Sequence, residues 1–386
     1  MLGASGKPSA DRSIDGRDRM RAIALTTSDE RPTTIRVPGR VNLIGEHTDH
    51  SGGLALPFAT DRALWLSVRQ HQLRTLRITS RTTGECVSLT ALGVDSEGAS
   101  DERPLSLQRT AAACCEAARE LGVVRAAGTV EIAGDLPIGA GLSSSAALCL
   151  GLIVAVCVLG GQLPGDPLAV ARAAARAERA AGGAGGGLLD QVAILGGAPG
   201  AGVLCDFAAD RYLRVGIALE DARLALLDSG ERRALGSSPY AERVAECAEA
   251  ARMLGVAPLA KAPLDSCLRL PNRWRQRAAH VVAECERVRL AVDALRRGDV
   301  GRLGRLLDAS HRSLRDLFNV STPAVEHTRA LAKAHGALGA RLVGGGFGGM
   351  VLALFPADAA LPTGALPVRP DFGLTIDGTA PWPRFC

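Results

Sequence analysis

The chain has 386 residues, 47% of them hydrophobic and 22% charged, which suits two domains of ordinary size and excludes both a small stapled module and a disordered polymer. Basic residues exceed acidic ones by only 45 to 40, a net +5, and no block of like charges stands out, so no nucleic-acid arm is expected and a small anionic ligand fits. Ten cysteines, without a CxxC pair, read as reduced core residues of a cytoplasmic protein.

Residues 1–30, rich in Ser, Asp, Arg and Gly, lack an apolar stretch of signal-peptide length and are expected as a flexible extension. An N-terminal half is expected over 31–205 and a C-terminal half over 206–386, joined near the glycine-rich stretch Gly182 to Gly202. In the first half, Thr34 to Ile44, Leu64 to Arg69 and Arg77 to Ser80 read as strands, and Leu105 to Leu121 and Ser144 to Leu159 as helices, with a polar insert at Asp95 to Arg103. The apolar run Ala146 to Gly161 is too short to span a membrane and begins beside serines, so it reads as a buried helix. In the second half, Ser238-Pro239 opens a helix whose stripe (Val244, Cys247, Ala248, Ala251, Leu254) ends at Gly255. A second stripe (Val281, Cys285, Val288, Val292, Leu295) stops at Gly298, and Thr322-Pro323 opens a helix toward Gly336. Strands Ala340 to Val343 and Val351 to Phe355 then flank a glycine loop, making the whole an α+β protein.

Three segments carry chemistry. Pro137 to Ala147 runs from glycines through serines into a buried helix, a junction that aims backbone N–H groups and a helix dipole at one spot, as a phosphate requires. Its serines would serve equally as ordinary helix caps. A Walker loop is excluded, because the only Gly-Lys is Gly6-Lys7 before Pro8, and the other lysines, Lys261 and Lys333, lie far from any glycine loop. If the chain binds ATP, backbone amides, arginine and a metal must therefore neutralise the phosphates. Gly344 to Gly349 either lets a ligand approach the backbone or forms a loose turn. Arg40 to His50 places Glu46, His47, Asp49 and His50 at a strand end, where they line a site or face water; no third Cys or His lies close enough to His47 and His50 for a structural zinc.

In order and spacing these segments resemble the galactokinase branch of the small-metabolite kinase superfamily that also holds homoserine, mevalonate and phosphomevalonate kinases. Val37 to Asp49 looks like the galactokinase signature, Pro137 to Ala147 like the phosphate loop and Gly344 to Gly349 like the third motif. Ser238-Pro-Tyr240 and His311 to Arg315 are similar to further family segments, and the likeness covers roughly residues 34 to 355. It implies a ribosomal-protein-S5-like N-terminal domain, a ferredoxin-like C-terminal domain and an active site between them. The implied reaction is ATP-dependent phosphorylation of the anomeric hydroxyl of D-galactose, by a protein needing neither membrane nor nucleic acid and favoured as a monomer. Asp190 would be the base, paired with Arg40; Glu46, His47, Asp49, Gly187 and Tyr240 would contact the sugar. Gly139, Gly141, Leu142, Ser143, Ser144 and Ser145 would wrap the triphosphate, Ser145 and Glu178 would hold Mg²⁺, and Gly344, Gly345, Gly346, Gly348 and Gly349 would form the third-motif loop.

The chain departs from the family pattern at His50, usually tyrosine, at Gly185-Gly186, usually Pro-Cys, and at Val343 and Met350, usually threonine and cysteine. After Met350 only 36 residues remain, proline-rich and expected to lack the family's usual helix and final strands. The alternatives are an anomeric kinase for another galacto-configured or larger sugar or sugar phosphate, and a non-catalytic sensor of sugar and ATP. Ser144-Ser-Ala-Ala147, Asp190 and Arg40 are intact, which weighs against the sensor.

Overall fold

A computed structural model describes residues 23–24, 31–71, 75–90, 103–137, 141–183, 187–231, 239–383 and 385. The first part of the chain runs β1 (Ile23–Ala24), β2 (Thr33–Asn42), β3 (Leu54–Ala55), β4 (Pro57–Gln70), β5 (Thr75–Ser80), β6 (Cys86–Thr90), α1 (Leu107–Glu120), β7 (Gly128–Gly134) and α2 (Ser144–Leu159). It continues with β8 (Gln162–Leu163), α3 (Pro167–Ala180), α4 (Leu189–Gly196), β9 (Ala201–Asp206) and β10 (Arg211–Gly216). The second part holds β11 (Ala222–Asp228), α5 (Pro239–Leu254), α6 (Asn272–Arg296), α7 (Val300–Asp316), α8 (Pro323–Ala334), β12 (Gly339–Val343), β13 (Met350–Pro356), β14 (Leu366–Val368) and β15 (Thr375–Ile376).

The expected helices form where caps and apolar stripes place them. Ser106 accepts from Arg109 N–H at the start of α1, and Thr322 accepts from Val325 N–H ahead of Pro323 at the start of α8. Every residue of α2 from Ala146 to Leu159 that has a side chain is buried except Leu148, so the helix is apolar all round because it lies inside the core. It packs on β2 and β4, with α1 and α3 against it. The strand expected at Leu64 to Arg69 is the second half of the longer β4. Helices α3, α4 and α7 were not anticipated; Asp166 caps α3 at Leu168 N–H ahead of Pro167, a signal present in the sequence. Ser238 and most of the Asp95 to Arg103 insert lie outside the described residues.

One sheet has six strands in the order β15-β2-β4-β7-β5-β6, with β5 and β7 parallel. A second has four antiparallel strands, β12-β13-β11-β14, covered by α7 and α8, with α6 on α7 and α5 on α6. The expected division after Cys205 falls within β9, which pairs with β10 on one side and β3 on the other. Cysteines accord with a reduced core: among the described residues none is disulfide-bonded and all but Cys86 are buried. No helix among the described residues is long and apolar enough to cross a membrane.

Beyond the expected strand at Val351 to Phe355, the residues after Met350 correct the expectation that the tail has no final strands. They form most of β13, then β14 along the edge of β11, and then cross to the other sheet, where β15 pairs with β2. Both sheets thereby gain an edge strand from this tail. Arg36 of β2 donates to Phe372 O at 2.7 Å and Asp371 Oδ2 at 2.8 Å, and Leu374 N–H donates to Ile194 O at the end of α4. Trp382 closes the tail, its indole N–H on Pro164 O at 2.9 Å.

Candidate active site

The catalytic pair expected from sequence comes together in the lining of a cleft of about 550 Å³. A register shift in β2 between Pro38 and Arg40 brings Arg40 toward α4. Gly39 is required there, since a Cβ would lie 2.4 Å from Leu136 Cδ1 and 2.8 Å from Leu142 O. Arg40 Nε and a terminal nitrogen both reach Asp190 Oδ1 at 2.7 Å, and its other terminal nitrogen donates to Gly141 O at 2.6 Å. Ser143 Oγ donates to Asp190 Oδ2 at 2.6 Å. Buried Arg40 is disfavoured by desolvation, but Asp190 and Glu46 more than offset this and hold its pKa above the ordinary arginine value.

The phosphate loop is described from Gly141 onward; Ile138, Gly139 and Ala140 lie outside the described residues. Gly141 and Ser143 both have positive φ, 77° and 59°, turning the chain sharply into the N-terminus of α2. Ser143, Ser144 and Ser145 line the cleft, whereas the Leu142 side chain is buried in the core and only its carbonyl serves the site, accepting from Arg40 N–H. Ser145 Oγ donates to Glu178 Oε1 at 2.5 Å, and Gln191 Nε2 to Glu178 Oε2 at 3.1 Å. Burial, with Asp190 adding to it, pushes the Glu178 carboxyl up to about 7. A divalent cation would remove that penalty. The donors suit Mg²⁺, which takes one or two protein oxygens and completes its shell with phosphate and water. Gln191 Oε1 beside them is buried without a hydrogen-bond partner. Among the described residues no cluster of three or more His, Cys, Asp or Glu is arranged as a closed metal cage.

Glu46, His47, Asp49, Gly187 and Tyr240 all line the same cleft. His47 has a φ of 59° and stacks 4.6 Å from Phe318 and 5.3 Å from Tyr240, centroid to centroid. Asp49 Oδ2 accepts from Gly187 N–H at 2.9 Å, and a Cβ on residue 187 would meet that oxygen at 2.6 Å. Glu46 is almost wholly buried, its Oε1 taking the Gly344 N–H at 2.8 Å and its Oε2 the Asn42 amide at 3.0 Å. Burial raises its pKa, and Arg341 and Arg40 counter that only in part.

Gly344, Gly345, Gly346, Gly348 and Gly349 close the far wall. Gly346 has φ 74° and would bring a Cβ to 2.5 Å from Val320 O. Of the departures, Val343 lines the cleft and Met350 is buried at the start of β13. His50 is not among the lining residues; it stands edge-on to Tyr240, with Ser51 Oγ 3.0 Å from its Nδ1. Gly185 and Gly186 lie outside the described residues.

Sequence reasoning missed one arm of the cleft, where Leu64, Leu105, Leu107, Ile132 and Leu136 meet Ser80, Thr83 and Thr110. These residues come from β4, β5, α1, β7 and their flanking loops, so no local pattern marks them. It also missed Arg179, which follows Glu178 into the cleft and is, with Arg40, one of two basic residues lining it among the described residues.

Comparison with known proteins gives the fold a family. The galactokinase galactose-binding signature matches residues 26–70, the GHMP kinases N terminal domain 107–198 and the GHMP kinases C terminal model 291–361. A galactokinase from Thermotoga neapolitana is 35% identical over 325 residues, 83% of this chain and 88% of that protein. The chain belongs to the galactokinase family. A Mycobacterium tuberculosis galactokinase is 38% identical over 340 residues, covering 84% of this chain and 89% of its own. The crystal structure of Lactococcus lactis galactokinase complexed with galactose superposes with a TM-score of 0.81 at 26% identity, over 90% of this chain and 96% of that one. Methanococcus jannaschii mevalonate kinase shares the fold, with a TM-score of 0.65 at 17% identity, over 89% of this chain and all of its own. A two-domain α+β kinase of the GHMP type accounts for both sheets and for the cleft.

Proposed function

We propose that this kinase transfers the γ-phosphoryl group of ATP to the anomeric hydroxyl of D-galactose, giving galactose 1-phosphate and ADP. The observation that carries the reading is the Asp190 carboxylate, held between Arg40 and Ser143 where the signature loop meets the phosphate loop. In this reading the sugar lies against Glu46, His47, Asp49, Gly187 and Tyr240, and its 1-hydroxyl gives its proton to Asp190. That oxygen bonds to the γ-phosphorus as the bond to the β-γ bridging oxygen breaks, and ADP leaves with the electron pair. Arg40 steadies the charge that develops, and position and charge neutralisation supply most of the rate.

Ser145 and Glu178 would hold Mg²⁺, which would neutralise triphosphate charge when bound. The amides following Gly139 and at the start of α2 would take phosphate oxygens, with Gly344 to Gly349 closing over them. The apolar arm at Leu105, Leu107 and Ile132 suits the adenine base. The six-stranded half, over 31–205, is read as the S5-like domain and 206–386 as the ferredoxin-like one, with the tail returning to the first. Cysteines that are mostly buried and, among the described residues, not in disulfides support a cytoplasmic protein, taken as a monomer.

The test is ADP release by the purified protein with Mg·ATP across a panel of free sugars and sugar phosphates. Galactose is expected as the preferred acceptor. Preference for another sugar or a sugar phosphate would overturn the assignment of substrate, and turnover of none would overturn the assignment as a kinase.

A further inference from the structure

Strand β12 is buried along its whole length, yet its central residue is an arginine flanked by Ala340, Leu342 and Val343. Arg341 has no exposed surface. A guanidinium in such a place is costly unless its donors and charge are used, so its partners indicate why it is there. One terminal nitrogen donates to the carbonyls of Asn42 at 2.8 Å and Leu43 at 3.0 Å. The other lies 3.3 Å from Glu46 Oε1 as an ion pair without hydrogen-bond geometry, and neither it nor Nε has a hydrogen-bond partner among the described residues. All three partners belong to the signature loop, some 300 residues away in the chain.

The Glu46 oxygen facing Arg341 is the one that accepts the Gly344 N–H, and Gly344 follows Arg341 by three residues. The contacts therefore close a ring: Arg341 to the loop carbonyls, along the loop to Glu46, across to Gly344 and back down the strand. Two further groups from the second half hold the same loop, Glu284 Oε1 accepting from Gly45 N–H at 3.1 Å and His280 Nε2 lying 3.1 Å from Glu46 O. Arg341 alone among these three touches both the backbone and the carboxylate.

We propose that Arg341 is a positioning residue for the sugar subsite: it clamps the loop through Asn42 and Leu43 and fixes Glu46, so that Glu46, His47 and Asp49 meet the sugar in one arrangement. This rests on the reading that those three residues contact the sugar. The glycine loop on the nucleotide side keeps other anchors, its ends at the Val343–Met350 pair and its interior at Phe347 N–H on Val320 O and Gly349 N–H on Glu231 O, so loss of the clamp falls more on the sugar than on ATP.

Arg341→Lys and Arg341→Met are compared with the wild-type protein in steady-state kinetics below each variant's melting temperature, using whichever sugar the wild-type protein phosphorylates best. Lysine keeps a charge beside Glu46 but cannot span two carbonyls and a carboxylate as a fork does. Arg341→Lys is expected to raise the sugar KM about tenfold, with the ATP KM changed less than about threefold, and to weaken discrimination against the C4 epimer several-fold; such a rise corresponds to about 1.4 kcal/mol of lost binding. Arg341→Met is expected to do worse, and if it fails to fold the lysine variant decides. A lower melting temperature with sugar KM and epimer ratio unchanged would make Arg341 a structural residue only. Equal rises in both KM values would mean general loosening of the cleft, and either result overturns the inference. A wild-type protein that phosphorylates no sugar overturns the functional reading instead.

Discussion

Replacing Asp190 by asparagine separates a proton acceptor from a mere orienting group. The carboxylate receives three donors, Arg40 Nε and a terminal nitrogen at Oδ1 and Ser143 Oγ at Oδ2, each within about 2.7 Å. A carboxylate has roughly four acceptor sites, so one remains for the sugar hydroxyl, and 28% of the side chain is exposed. In Asp190→Asn the amide oxygen can keep both Arg40 bonds while its NH₂ donates to Ser143 Oγ, whose hydroxyl rotates to accept. Ground-state geometry survives and proton acceptance does not. General-base catalysis is worth roughly 10² to 10⁴-fold, or about 2.7 to 5.4 kcal/mol of barrier. The turnover rate, measured by coupled ADP release at saturating sugar and ATP, should fall by that factor while the sugar KM moves less than about threefold. A variant with more than about a tenth of the wild-type rate would refute the base assignment. So would an unchanged rate with a sugar KM raised more than about tenfold, which would leave Asp190 as an orienting contact.

Gly187→Ala should raise the sugar KM by about tenfold with a smaller change in turnover, because the new methyl would stand 2.6 Å from Asp49 Oδ2 and must displace it; kinetics with the preferred sugar check this, and an unchanged KM would remove Asp49 from the sugar subsite. Gly373→Val should lower stability by about 1 to 3 kcal/mol, since its Cβ would lie 2.7 Å from Ile194 O and 2.8 Å from Leu195 O; a urea midpoint equal to wild type would mean that the tail does not bear on α4. Two buried histidines should each lower stability as the solution is acidified below neutrality. His280 and His311 are each lowered to about 4, mainly by burial, so the folded protein keeps them neutral while the unfolded chain protonates them near 6.5. Their stabilisation is complete above pH 6.5 and is lost as pH falls toward 4, at up to about 1.4 kcal/mol per pH unit for each histidine. Glu178, raised to about 7 by burial, opposes this between pH 7 and 4.5, because its folded form holds a proton that the unfolded chain gives up. The test is therefore the difference in urea midpoint between pH 7 and pH 5 for wild type and for His280→Gln, which should be smaller in the variant; equal differences would contradict the burial argument.

What the sequence made legible is what local chemistry writes. Caps at Ser238 and Thr322, proline at the first helical turn and apolar stripes ending at glycine point to α5, α6 and α8, because each signal acts within a few residues of itself. The two glycine loops and the signature segment were recognisable because close backbone approach and tight turns admit few other residues: Gly39, Gly187 and Gly346 each have no room for a Cβ. The apolar cleft lining at Leu64, Leu105, Leu107, Ile132 and Leu136 escaped because these residues are scattered over separate elements and look like ordinary core positions. The tail escaped for a different reason. Its strands have only three and two residues, too short for any periodicity, and their partners β11 and β2 lie far upstream.

Arg341 shows how a long-range role can hide in a local pattern. In sequence it is a charged residue beside Leu342 and Val343, which period-2 reasoning assigns to the solvent face of a strand. It is instead fully buried, because the signature loop turns two carbonyls and a carboxylate toward it. Glu46 is the complementary case. Sequence reasoning assigned it to the sugar, yet one of its oxygens takes the glycine-loop amide and the other the Asn42 side chain. Its carboxylate can therefore serve the sugar only through the acceptor capacity those bonds leave. A residue that lines a binding cleft and also ties its walls together constrains both tasks: the contacts that fix its position for the ligand are the contacts that join the two halves of the chain.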